Sequence, residues 1–120
     1  MDAAAIDKAR LIVEAALDLK AENVVALDIS ELSSIADVFV IVSGRSDRHV
    51  RAVSDGILAS LRGIGEEPLG VEGQAEGRWV LIDADDAVIH VFDPEAREEY
   101  DLERLWSDAD TIDLALPAAV

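Results

Sequence analysis

Three observations place this chain in the α/β class, as a single-layer mixed β-sheet packed with helices. Its 120 residues are 51% hydrophobic and 30% charged, a globular balance at a length that suits one domain and can bury roughly two-thirds of the unfolded surface. Stretches with apolar residues at helical spacing alternate with short β-branched runs. Two strand candidates flanking residue 85 form a hairpin while another pair is joined through a helix, and that combination demands mixed strand directions.

Ala3 to Ala21 sets Ile6, Ala9, Val13, Ala16, Leu17 and Lys20 on one stripe, with Asp7, Lys8, Glu14 and Asp18 between them, and predicts a first helix. Asn23 to Ile29 alternates around Val25, Leu27 and Ile29, a half-buried strand. Val38-Phe39-Val40-Ile41-Val42 is continuously apolar, as a central strand buried on both faces should be. Ser30 to Asp37 between them reads as a loop or single turn. Ser43-Gly44-Arg45-Ser46 opens a second helix, with Ser46 as N-cap, Val50, Val53, Ile57, Leu61 and Ile64 on one face, and Gly63 and Gly65 at its end. Pro68 to Glu72 is a short strand bounded by Gly73. Arg78 to Asp83 and Ala87 to Phe92 are the hairpin strands, joined through Ala84-Asp85. Asp93-Pro94-Glu95 starts a third helix, expected to run to about Trp106, because Asp caps, Pro suits the first position and early carboxylates suit the helix dipole. The domain is expected to span residues 1–108, with a loosely ordered tail over 109–120.

Pairing the hairpin across Ala84-Asp85 sets Leu81 opposite Val88 and Trp79 opposite His90. One face then carries Val80, Ile82, Ala87, Ile89 and Val91, uniformly aliphatic and suited to packing on helices. The other carries Trp79, Leu81, Asp83, Val88, His90 and Phe92, aromatic anchors beside polar groups, which is the composition of an interaction surface.

Charge narrows the partner. Ten basic against 26 acidic residues give a formal charge of −16, which repels phosphate backbones and anionic membranes and favours a basic protein. From Asp83 to Asp110 eleven carboxylates face only Arg97 and Arg104, so this stretch holds −9 of the total. Without cysteine there are no disulfides or thiolate metal sites. The start lacks a signal peptide and no apolar run could span a bilayer, so a cytoplasmic protein is expected. The second helix start offers one Gly and no P-loop Lys, which suits ordinary capping better than phosphate binding. Asp83, Asp85 and Asp86 leave open a metal-dependent nucleotidyltransferase, and self-association alone is a third reading. No Ser has the context of an exposed nucleophile, so nucleophilic hydrolysis is unsupported.

The stretches Ala26-Leu27-Asp28-Ile29-Ser30, Ala36-Asp37-Val38-Phe39-Val40-Ile41 leading to Ser43-Gly44, Ser46-Asp47-Arg48-His49-Val50, Glu72-Gly73, Gly77-Arg78-Trp79-Val80-Leu81-Ile82-Asp83, Val88-Ile89-His90-Val91-Phe92 and Tyr100-Asp101-Leu102-Glu103-Arg104-Leu105-Trp106 follow one another in a specific order and spacing. Together they resemble the ribosomal silencing factor, or Iojap-like, family, from about Ala5 to Asp108. The resemblance implies a nucleotidyltransferase-like topology without the catalytic constellation, and with it a binding protein rather than an enzyme, with no catalytic residue, cofactor or metal expected. It also implies a translational repressor that docks on the large ribosomal subunit through the ribosomal protein numbered fourteen in the large-subunit series, blocks subunit joining, and forms homodimers. Trp79, Leu81, Asp83, His90, Tyr100 and Asp101 match the family's signature positions and are the implied partner-binding residues. The turn Ala84-Asp85 departs from the aromatic-glycine pair common in the family.

Overall fold

The computed structural model describes residues 2–114. The chain passes through α1 (Ala3–Asp18), β1 (Glu22–Asp28), β2 (Val38–Ser43), α2 (Asp47–Gly63), β3 (Gly70–Glu72), β4 (Trp79–Ala84), β5 (Ala87–Phe92), α3 (Pro94–Tyr100), α4 (Leu102–Leu105) and β6 (Asp110–Thr111). The strands form one mixed sheet in the order β3-β4-β5-β2-β1-β6, with β2 and β5 parallel and all other neighbours antiparallel. A run as apolar as β2 is buried throughout and sits at the middle of the sheet. The edge strands β3 and β6 are three and two residues long, which leaves little unpaired backbone for another chain.

Alternation along the strands serves two cores. Val38, Val40, Val42, Val80, Ile82, Ile89 and Val91 point to α1 and α2 and close on Ile12, Val13, Val53, Ile57 and Leu61. The opposite parity, with Leu27, Phe39, Ile41, Val88 and Phe92, meets Ala96 of α3, Leu102 of α4 and Trp106. Ser46 caps α2 by accepting the His49 amide at 3.1 Å, so the helix start is closed by its own residues. Gly44 is needed there, because a Cβ would stand 2.8 Å from the Val50 nitrogen.

Several expectations change. The first helix stops at Asp18, not Ala21, because Lys20 turns left-handed at φ 66° and takes the chain into β1. Lys20 is accordingly exposed, off the buried stripe. Lys8, expected between the apolar positions, is buried: its ammonium reaches the Ala84 carbonyl at 2.9 Å, Glu66 at 2.7 Å and the Asp86 carboxylate, joining α1 to the hairpin tip. Burial alone would lower the pKa of this ammonium, but the hydrogen bonds it donates to Asp86 and Glu66, together with their negative charges, outweigh it and hold the pKa above the ordinary lysine value.

The hairpin register is also shifted. Trp79 lies opposite Phe92 rather than His90, Leu81 opposite His90 rather than Val88, and the turn is Asp85-Asp86 rather than Ala84-Asp85. Asp85 takes the left-handed conformation (φ 71°), and the Asp83 carboxylate accepts its amide at 3.0 Å, so the turn closes one residue later. Sliding by an even total leaves the membership of both faces unchanged.

The third helix is broken. Asp101 adopts φ 45°, ψ 53°, ending α3 and letting α4 start at a new angle. Within the stretch expected to form the tail, Thr111 and Asp110 pair with Leu27 and Asp28, the Ile112 amide bonds the Ala26 carbonyl at 2.8 Å, and Leu114 is buried. Residues 115–120 lie outside the described residues.

Candidate docking face

The mixed face of the hairpin gathers all five aromatic residues of the chain with His90. Trp79 stacks at a tilt on Tyr100 (centroids 4.6 Å apart) and on Phe92 (5.2 Å). His90 meets Phe39 edge-on at 4.9 Å, and Phe39 meets Trp106 at 5.1 Å. Strand parity brings Phe39 to His90, since Phe39 pairs with Val88 and Ile41 with His90 in the parallel β2–β5 register. Sequence reasoning overlooked Phe39 and Trp106 as parts of this group. Alternation would have given Phe39; Trp106 needed the bend at Asp101.

The face is not the open surface its composition suggested. α3 and α4 cover its β5, β2 and β1 part, where Val88, His90 and Phe92 are buried, His90 at 4% exposure. Its β4 part is half-open: Trp79, Leu81 and Asp83 are each partly exposed, with exposed Glu72 beside them on β3. Tyr100 is 43% exposed and Asp101 exposed at the rim. Five of the six predicted residues therefore reach solvent, and the sixth, His90, lies behind Trp79. Burial pushes the His90 imidazole pKa down to about 4, so the ring is neutral near pH 7.

Two features hold this arrangement. Arg97 donates to the Ser43 hydroxyl at 2.9 Å and to the Glu103 carboxylate at 2.7 Å, tying α3 to the end of β2 and to α4. Gly73, at φ 86°, lies so close to Trp79 that a Cβ would come within 1.9 Å of the Trp79 carbonyl oxygen, so only glycine fits. Sequence reasoning treated Gly73 only as a strand boundary and part of a motif.

The acidic stretch divides by use. Arg78 lies against Glu99 at 3.2 Å and against Asp93 and Glu95 at 3.8 Å, and Lys8 takes Asp86. Asp83, Asp85, Glu98 and Asp101 enter no ion pair among the described residues, and of these Asp83 on β4 and Asp101 next to Tyr100 border the open part of the face with negative charge. Asp83 folds onto its own turn while Asp86 turns to Lys8, so the three turn carboxylates do not converge. No group of three His, Cys, Asp or Glu placed to hold a metal ion occurs among the described residues.

A family model described as "Ribosomal silencing factor during starvation" matches residues 2–119. The chain belongs to the ribosomal silencing factor family. Among its relatives, the Ribosomal silencing factor RsfS of Halalkalibacterium halodurans is 44% identical over 88% of this chain and 90% of its own length. The protein of that name from Chromobacterium violaceum is 38% identical over 81% and 80%. A mouse relative, 30% identical over 72% of this chain and 40% of its own length, is named Mitochondrial assembly of ribosomal large subunit protein 1. A crystal structure from Chromobacterium violaceum superimposes with a TM-score of 0.82 at 36% identity, over 99% of this chain and 97% of that one. A second, from Bacillus halodurans, gives 0.77 at 40% identity over 86% and 93%. Membership of the family carries a ribosomal silencing role. No described helix is long and apolar enough to cross a membrane.

Proposed function

We propose that this chain represses translation in the cytoplasm by docking on a basic protein of the large ribosomal subunit, the one numbered fourteen in the large-subunit series, and excluding the small subunit by its bulk. The observation that carries the reading is the half-open aromatic platform of a family member, with Trp79, Leu81 and Tyr100 at its centre and unpaired Asp83 and Asp101 at its rim. Aromatic side chains anchor interfaces because they bury much area at low entropic cost. The rim carboxylates select Lys and Arg on the partner and speed encounter. His90 contributes from beneath the platform rather than by touching the partner. Binding and steric exclusion require no bond to be made or broken.

The test is sedimentation of purified large subunits with the protein, followed by addition of small subunits. Co-sedimentation and reduced subunit joining are expected; absence of either overturns the reading. Trp79→Ala removes the central anchor and should weaken binding by on the order of thirtyfold, an anchor's typical contribution. Asp83→Lys should weaken it through charge reversal, and wild-type affinity in both variants would move the site elsewhere. Self-association into a homodimer, also proposed from the family, is read separately from the dependence of mass on dilution.

A further inference from the structure

One buried polar atom is unexplained by packing. Trp79 and His90 lie diagonally across the β4–β5 pair, and the indole Nε1–H, which can only donate, reaches His90 Nδ1 at 3.1 Å. The imidazole proton is therefore on Nε2. That nitrogen is buried and has no hydrogen-bond partner among the described residues, an arrangement that costs stability. Phenylalanine would fill a similar volume between Phe39 and Phe92 without such an atom. What imidazole does here and a phenyl ring cannot is accept the indole proton.

That acceptor matters when the platform is covered. A partner lying on Trp79 strips water from the edge of the indole, and an N–H left without an acceptor would then oppose binding. We propose that His90 is a positioning residue for docking: it takes the Trp79 indole N–H from inside the sheet and presents the ring to the partner as an apolar anchor. The inference rests on the docking reading above and specifies the chemistry opposite Trp79. Aliphatic carbon, or the stem and cation of a Lys or Arg over the ring, fits there; a hydrogen-bond acceptor does not. Burial keeps the imidazole neutral, so the acceptor is present throughout the neutral range.

The experiment compares His90→Phe, His90→Asn, Trp79→Phe and the double variant Trp79→Phe/His90→Phe. It reads affinity for purified large subunits, thermal stability, and the indole N–H resonance of Trp79 in the free protein, assigned by its loss in Trp79→Phe. His90→Phe should fold with unchanged or raised stability, shift the indole resonance toward an unbonded position, and weaken docking about fivefold to tenfold, the scale of one hydrogen bond. His90→Asn, which returns an oxygen near Nδ1, should recover part of the affinity. In the Trp79→Phe background, His90→Phe should cost nothing more, whereas a merely structural role would give the same loss in both backgrounds. Wild-type affinity in His90→Phe, or an equal loss with and without the indole, overturns the proposal. If the unaltered protein does not bind large subunits, the docking reading fails, and the indole resonance decides alone: a shift upholds the pinned ring and an unmoved signal overturns it.

Discussion

At the scale of single residues, two buried titratable groups do opposite things. Lys8 stays charged because its partners come from the α2–β3 connection and the hairpin tip, Asp86 lying 78 positions away in the chain. His90 stays neutral because nothing nearby compensates a positive charge. A base whose pKa falls from the ordinary 6.5 to about 4 on folding binds its proton more readily when unfolded. Its contribution to stability is therefore fully present above pH 6.5 and is lost as the pH falls from there to about 4, by up to about 3 kcal/mol. Over the same range, carboxylates that take up protons relieve repulsion and act in the other direction. The contribution of His90 is isolated by comparison with His90→Phe: the melting temperature of the variant should gain on wild type between pH 7 and pH 4.5, measured by circular dichroism. A difference that stays constant with pH would show that the histidine does not titrate with folding. Neither burial was readable from the sequence, because the groups that enclose Lys8 and the helices that cover His90 are distant in the chain.

At the scale of elements, the corner at Asp101 sets the rim of the platform. It turns the chain so that Tyr100 rests on Trp79 while Trp106 reaches Phe39. A non-glycine residue at φ 45° is strained, least so for Asn and Asp. Asp101→Asn keeps that tolerance and removes the charge, so thermal stability should change by less than about 0.5 kcal/mol while docking weakens severalfold. Asp101→Ala should lose both affinity and roughly 1 kcal/mol of stability. Denaturant titration beside sedimentation separates the two effects, and an Asn variant that binds normally would assign Asp101 to the corner alone. This corner marks where local reading of the sequence stops. The caps at Ser46 and Asp93 and the parity of every hairpin residue were legible because each depends on residues within a few positions. The break at Asp101 and the pairing of β6 with β1 were not, since Asp110 and Asp28 meet across 82 positions and the two residues of β6 carry no strand signal of their own. Of the platform, the sequence shows which residues share a face; only tertiary packing determines which half of that face remains open.

At the scale of the whole molecule, the charge of −16 acts on folding and on docking with opposite signs. Arg78 and Lys8 neutralise several carboxylates internally, but those at the platform rim lack a cation and repel one another. Compacting a chain with such an excess costs free energy that salt reduces. The same field attracts a basic partner, and salt weakens that attraction. Raising ionic strength from about 0.01 M to 0.15 M shortens the screening length from about 30 Å to 8 Å. The melting temperature should therefore rise over this interval while the association rate with large subunits falls, by tenfold or more where steering dominates. Trp79→Ala should retain this salt dependence, because it removes an anchor and leaves the field intact, so its loss should appear in the dissociation rate. Asp83→Lys should flatten the dependence of the association rate. If both variants change the same rate constant, the division between an aromatic anchor and a steering rim fails, and the platform and its acidic border must be treated as one contact.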